Sequence, residues 1–200
     1  MAKEGLPFVL VPALLAMLLA FFQVWWAAGL LAALAAFMAF FFRDPHRVMP
    51  DGDGLILAAA DGRVTRIDDD ENGKLVSVFM SPFDVHINRS PITGKVTKAE
   101  YIPGRKAPAT SNSASMTNER NAITIEGGGG LTVRCTQIAG IMARRIVCWS
   151  KEGDELQRGE KFGLIKFSSR TDVAMPPTVE IAVKIGDHVK AGETIIARVV

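Results

Sequence analysis

Gly153-Asp154-Glu155-Leu156-Gln157-Arg158-Gly159-Glu160 returns about thirty residues later as Gly186-Asp187-His188-Val189-Lys190-Ala191-Gly192-Glu193. Each copy begins with a glycine able to take a positive φ at a turn, and an apolar residue two places after the acid pins that turn to a core. A second echo lies upstream, where Gly62-Arg63-Val64-Thr65 is answered by Gly94-Lys95-Val96-Thr97. An interval of about thirty residues is the length of one supersecondary unit, so the chain reads as two similar halves.

The remainder of residues 48–200 supports an all-β reading. Leu55–Ala58, Arg63–Ile67, Leu75–Met80, Gly94–Tyr101, Ala122–Glu126, Leu131–Ile138, Ala143–Val147, Phe162–Phe167, Thr178–Val183 and Thr194–Val199 are short runs rich in β-branched residues. Gly, Pro, Asp and Asn turns separate them, and no long helical period appears. The repeated glycine-acid unit resembles the turn-and-strand unit of lipoyl- and biotinyl-carrier barrels. That likeness implies a barrel-sandwich with pseudo-two-fold halves. Residues 103–117, small, polar and turn-prone, read as a surface loop, or as a flap whose Arg105 and Lys106 meet anionic headgroups.

The first 47 residues differ from the rest. Mean hydropathy is +0.21 although 22% of residues are charged, so the apolar excess must be local. From Phe8 to Phe42 there is no charge, and Gln23 is the one strongly polar side chain. A bilayer core needs roughly 20 helical residues. This run is therefore too long for one straight span and a little short for two. Gln23-Val24-Trp25-Trp26 near its middle suits a turn at a water-lipid boundary. We expect a hairpin of helices at about 8–22 and 24–42; one long tilted or re-entrant helix is the alternative. Arg43, His46 and Arg47 place the exit, and the domain after it, on the cytoplasmic side of a cell membrane. A net charge of +2 with scattered basic residues argues against nucleic acid. Cys135 and Cys148 have no CxxC spacing and no histidine pair nearby, so no metal site is expected. They read as two buried thiols, with a disulfide as the other reading.

Five segments carry the chemistry. They are Ala59-Ala60-Asp61-Gly62, Met80-Ser81-Pro82-Phe83-Asp84-Val85-His86, Asn118-Glu119-Arg120-Asn121, Gln137-Ile138-Ala139-Gly140, and Phe162 to Val173 with Ser168-Ser169-Arg170 at its centre. Taken singly, Asp61-Gly62 is an ordinary hairpin turn and Ser168-Ser169 an ordinary strand-to-turn dipeptide. In this order, behind Phe41-Phe42-Arg43-Asp44-Pro45, they resemble the short, membrane-anchored form of the phosphatidylserine decarboxylase family.

The resemblance implies a pyruvoyl-dependent carboxy-lyase that converts phosphatidylserine to phosphatidylethanolamine. Ser169 would attack the preceding carbonyl, the chain would cut between residues 168 and 169, and Ser169 would become the pyruvoyl group that forms a Schiff base with the substrate amine. Asp61 matches the family's Ala-Asp-Gly carboxylate. His86 is the best base, because His46 sits at the membrane exit and His188 in a repeat turn. A second histidine found in some relatives is Arg89 here. Arg170, Arg144 and Arg145 are either phosphate-binding or surface residues. The implied partners are phosphatidylserine or a related serine lipid, the membrane, and further copies of the chain in a homo-oligomer. Ser168 stands where the family has glycine. Either the Ser-Ser pair still processes, or the substitution blocks processing. A non-enzymatic, membrane-anchored, lipoyl-like adaptor is the alternative to an enzyme. It lacks the tip lysine of carrier domains and the heptad helices of adaptors.

Overall fold

A computed structural model describes residues 1–105, 107, 117–140, 145–167 and 169–200. The chain divides into two compact units, Met1–His46 and Arg47–Val200.

In the first unit, α1 (Leu6–Phe21) and α2 (Trp25–Phe41) form a helical hairpin. The reversal falls at Gln23, whose φ of 62° lets three residues turn the chain around. Small residues permit close packing: Ala16, Ala28 and Ala35 are buried, whereas Leu14, Leu18, Trp26 and Leu30 are exposed. The open end is closed by Phe42, which stacks on Phe8 at 5.4 Å and whose carbonyl accepts from Ala2 N at 3.0 Å. The span Lys3–Phe21 is long and apolar enough to cross a membrane; Trp25–Phe41 is shorter.

The second unit is β-sheet throughout its named elements, apart from one 3-10 turn at Gly128–Gly130. Its strands are β1 (Leu55–Leu57), β2 (Gly62–Asp70), β3 (Gly73–Met80), β4 (Ile87–Arg89), β5 (Gly94–Ile102), β6 (Arg120–Glu126), β7 (Thr132–Ala139), β8 (Arg145–Cys148), β9 (Glu155–Leu156), β10 (Lys161–Lys166), β11 (Ser169–Met175), β12 (Val179–Ile181), β13 (His188–Val189) and β14 (Ile195–Val199). An eight-stranded antiparallel sheet runs β13-β2-β3-β11-β7-β6-β5-β9, with two three-stranded sheets, β1-β14-β12 and β4-β10-β8. Val64, Val76, Val78, Ile123, Ile125, Phe162, Ile165, Val173 and Ile196 belong to one buried cluster.

The sequence echo corresponds to matched hydrogen bonds. Gly186 N donates to Val64 O and Val64 N to Asp187 O; Gly153 N donates to Val96 O and Val96 N to Asp154 O. Gly192 N reaches Ala58 O as Gly159 N reaches Ser90 O. Each aspartate caps its own turn, Asp154 accepting from Lys151 N and Asp187 from Lys184 N. All four glycines hold φ between 75° and 98°.

One strand departs from expectation. Ser169 does not sit in a turn after a strand; it opens β11, which lies in the large sheet between β3 and β7. β10 belongs to a small sheet, so the chain changes sheets between Lys166 and Ser169. Phe167 makes the turn with φ 64°, a conformation that costs a non-glycine residue about 1–3 kcal/mol. The flap proposed for residues 103–117, including Lys106, falls largely outside the described residues. Arg105 bridges to Asn118: its N donates to Thr117 O at 2.8 Å and its O accepts from Glu119 N at 2.9 Å.

Candidate active site at the sheet crossover

Ser169, His86 and Asp61 all converge on the end of β3. Ser169 pairs with Met80 on one side and with Ala139 on the other, and its Oγ is 3.9 Å from Met80 Sδ. On the other side of β3, Arg63 pairs with Phe79. Gly62, adjoining Asp61, presses so close that a Cβ there would come 2.0 Å from Phe79 O. Asp61 and Ser169 therefore flank the same residue pair, two ladder steps or about 10 Å apart in backbone.

Residues 81–86 leave β3 at Met80 and join β4, which pairs with β10, the strand just before the crossover. Asp84 ties this loop down by accepting from Ser81 N at 2.7 Å and Ser81 Oγ at 2.6 Å. His86 is anchored where its carbonyl accepts from Ile165 N at 3.2 Å, four residues before Ser169. Its Nδ1 lies 2.9 Å from Asp84 O. A carbonyl oxygen can only accept, so Nδ1 carries the proton and Nε2 is the basic nitrogen. All three side chains are buried: Ser169 is 0%, His86 3% and Asp61 8% exposed.

Both oxygens of Asp61 are held. Oδ1 accepts from Ala191 N at 2.8 Å and Oδ2 from Arg47 Nη2 at 2.6 Å. Burial pushes this carboxyl above the ordinary carboxylate range; the Ala191 and Arg47 bonds and the Arg47 charge oppose that, and the nearby Asp84 charge adds to it.

The remaining predicted residues are more dispersed. Arg170 is not a surface residue. It is 2% exposed and forked onto Asp172, with Nε to Oδ1 and Nη2 to Oδ2 both at 2.7 Å. Residues two apart in a strand share a face, and a guanidinium inside a core needs a carboxylate partner. The expectation that Arg170 grips a phosphate is not met by this geometry. Arg145 is exposed at the start of β8, opposite Lys166. Arg144 and Ser168 lie outside the described residues. Arg89 donates to Gly159 O at 3.0 Å, so it braces a turn.

Sequence reading gave no role to a buried amide network behind β11. Asn88 donates to Thr171 Oγ1 at 2.9 Å and to Ala59 O at 3.3 Å. Gln137 donates to Asn88 Oδ1 at 2.9 Å, and Asn121 to Gln137 Oε1 at 3.3 Å. Gly163 makes room, since a Cβ there would lie 2.8 Å from Gln137 Nε2. Asn118 reaches Ala139 O, in the residue paired with Ser169, at 2.8 Å. Asn118, Asn121 and Gln137 stood inside quoted motifs; the contacts they make had no sequence signal. Cys135 and Cys148 are both free thiols, and burial raises each. A crevice of about 910 Å³ lined by Pro50, Gly52, Gly128 and Arg158 contains none of the three convergent residues.

The profile of the phosphatidylserine decarboxylase family matches residues 34–197. A phosphatidylserine decarboxylase proenzyme of Syntrophus aciditrophicus is 46% identical over 96% of this chain and 94% of its own. One of Symbiobacterium thermophilum is 46% identical over 98% and 94%, and one of Paraburkholderia xenovorans 42% identical over 98% and 95%. With a match over most of its length and relatives covered almost end to end, the chain belongs to the phosphatidylserine decarboxylase family.

Proposed function

We propose that this chain cuts itself before Ser169 and then decarboxylates phosphatidylserine to phosphatidylethanolamine. The observation that carries the reading is the sheet crossover. A buried serine opens a strand, two residues after a backbone held at positive φ, and His86 O accepts from Ile165 N on the strand just before it. Family membership supplies the substrate class.

The first step needs a base for the hydroxyl. His86 Nε2 takes the Ser169 Oγ proton while Nδ1–H remains held by Asp84 O. Oγ bonds to the carbonyl carbon of residue 168, the C–N bond breaks, and the proton goes to the freed amine. Loss of the Ser169 α-proton then breaks the Cβ–Oγ bond of the ester, so that Oγ leaves as part of the carboxylate of residue 168 and dehydroalanine remains at 169. One water converts that to a pyruvoyl group and ammonia. The residues fit such a group. Position 169 is fully buried, while Met80, Ala139 and the amide network fix the backbone around it. The pyruvoyl carbonyl would hold the substrate amine and accept electrons as carbon dioxide leaves. Asp61 orients and charges the site, His86 returns a proton, and Arg145 meets the lipid phosphate. Ser168 in place of glycine slows the cut, because a side chain narrows the backbone freedom that the attack requires.

The helical hairpin anchors the chain in a membrane, with its exposed Leu14, Leu18, Trp26 and Leu30 facing lipid. The catalytic unit lies on the cytoplasmic side. The test is incubation of the full chain with phosphatidylserine vesicles, following carbon dioxide release and borohydride trapping of lipid on the fragment that begins at residue 169. Carbon dioxide release together with a trapped adduct supports the reading. A cut chain that releases none, or traps no lipid, refutes it.

A further inference from the structure

The two halves of the β unit make the same turn bonds, and Asp61 occupies one of a matched pair of positions. Thr93 is its counterpart in the second half, one residue before Gly94 as Asp61 is one before Gly62. Thr93 Oγ1 accepts from Arg158 N at 3.0 Å, and Asp61 Oδ1 accepts from Ala191 N at 2.8 Å. Arg158 and Ala191 each precede the second glycine of their turn, Gly159 and Gly192. One side-chain oxygen is therefore enough to hold this turn, and a hydroxyl supplies it in the second half. The carboxylate of Asp61 brings an oxygen that the fold does not require. That surplus oxygen is Oδ2.

Arg47 takes Oδ2. Its Nη2 is 2.6 Å away and its Nη1 lies 3.5 Å from Glu193. The guanidinium side chain is only 7% exposed, and its Nε is buried with no hydrogen-bond partner among the described residues. Burying an arginine donor without a partner carries a free-energy penalty, so simple stabilisation of the surface is a poor account of this placement. Among the described residues the second half has no equivalent. There, the Arg158 side chain donates to the carbonyls of Gly52 and Pro50, not to a carboxylate.

We infer that Arg47 is a positioning residue for self-cleavage: by clamping the surplus Oδ2 of Asp61, it fixes the rotation and the charge of the carboxylate that serves His86 and Ser169. The inference rests on the roles proposed above for those three residues. Other charged groups around Asp61 come from two loops. Asp84 lies between β3 and β4, and Glu193, which Arg47 and Lys190 approach, lies between β13 and β14. Arg47 opposes the effect of burial and of Asp84 on the carboxyl, so its removal moves the carboxyl further above the ordinary range.

The experiment follows appearance of the fragment 169–200 from full-length chain in detergent, across pH, in the native and Ser168→Gly backgrounds. Arg47→Gln is expected to slow cleavage at neutral pH by about tenfold and to move its acid limb up by about one pH unit. Arg47→Lys keeps the charge without the fork and is expected to fall between. An acid limb for Arg47→Gln that overlays the native one overturns the inference. Should Arg47→Gln lose its near-ultraviolet dichroism, Arg47→Lys decides by the same comparison. Asp61→Asn separates the two levels. Cleavage at the native rate in that variant removes the underlying role of Asp61; its loss there, with Arg47 variants unaffected, removes only the role of Arg47.

Discussion

Replacing Asp172 by alanine should be the most damaging single change outside the reacting groups. Asp172 is 4% exposed and Arg170 2%, and two 2.7 Å bonds join them. Removing one partner of a buried ion pair costs about 3–5 kcal/mol, because the remaining charge stays in a medium that solvates it poorly. For a unit of this size, each kcal/mol moves the melting temperature by about 2–4 °C, so a fall of roughly 6–20 °C is expected. Arg170 adjoins Ser169 in β11, so the damage should also reach processing: fragment 169–200 should form more slowly well below the melting point. The companion variant replaces both partners, Arg170→Met with Asp172→Leu, and removes the charge along with its partner. Pairs exchanged for apolar residues of similar volume are often neutral, so this variant should melt well above Asp172→Ala. Far-ultraviolet dichroism of the full chain in detergent measures both. A fall of less than about 3 °C for Asp172→Ala, or equal melting of the two variants, refutes the assignment of this pair as a charge-compensated core element.

Other outcomes follow from single contacts. Gly62→Ala should be strongly destabilising and should slow cleavage, because its Cβ would sit 2.0 Å from Phe79 O at a φ of 142°; a melting scan and a cleavage time course check this. Asp61 titrates above its ordinary value of 3.8 in the folded chain, so the folded state binds more protons between those two values. Its contribution to stability therefore falls as pH rises through that window, and Asp61→Asn should flatten that part of the stability profile. Ser168→Gly should speed the cut, measured by the half-time for fragment 169–200. Burial raises the Cys135 thiol, so at neutral pH a thiol reagent should label it only on unfolding, ahead of which Cys148 reacts.

Much of this architecture was legible because turns announce themselves. Gly153, Gly159, Gly186 and Gly192 are where positive φ is needed, and the acids after the first of each pair cap their turns through local bonds. The break between the apolar helices was legible for another reason: Gln23 is the one strongly polar side chain of the run, and Trp25 and Trp26 beside it suit a water-lipid boundary. β11 was not. Ser169-Arg170-Thr171-Asp172 has no apolar alternation, yet all four are buried at the centre of the large sheet. Their burial is tolerated because Arg170 pairs with Asp172 and Thr171 accepts from Asn88 across 83 residues of chain. Periodicity detects apolar burial; it has no means of detecting polar groups that satisfy one another inside a core. Short β4, β9 and β13 escaped for a simpler reason, since two or three residues carry no period. The three convergent residues stood in motifs, whereas Arg47, 14 positions from Asp61, looked like one more charge at the exit of the apolar segment.

Intact mass of the incubated chain, for the native sequence and for Ser168→Gly, shows whether the bond before Ser169 breaks. Two species are expected, 1–168 and 169–200, the second blocked at its N-terminus by a pyruvoyl group and formed faster in the glycine variant. A chain that stays whole in both forms, or that breaks at any other bond, contradicts self-cleavage before Ser169.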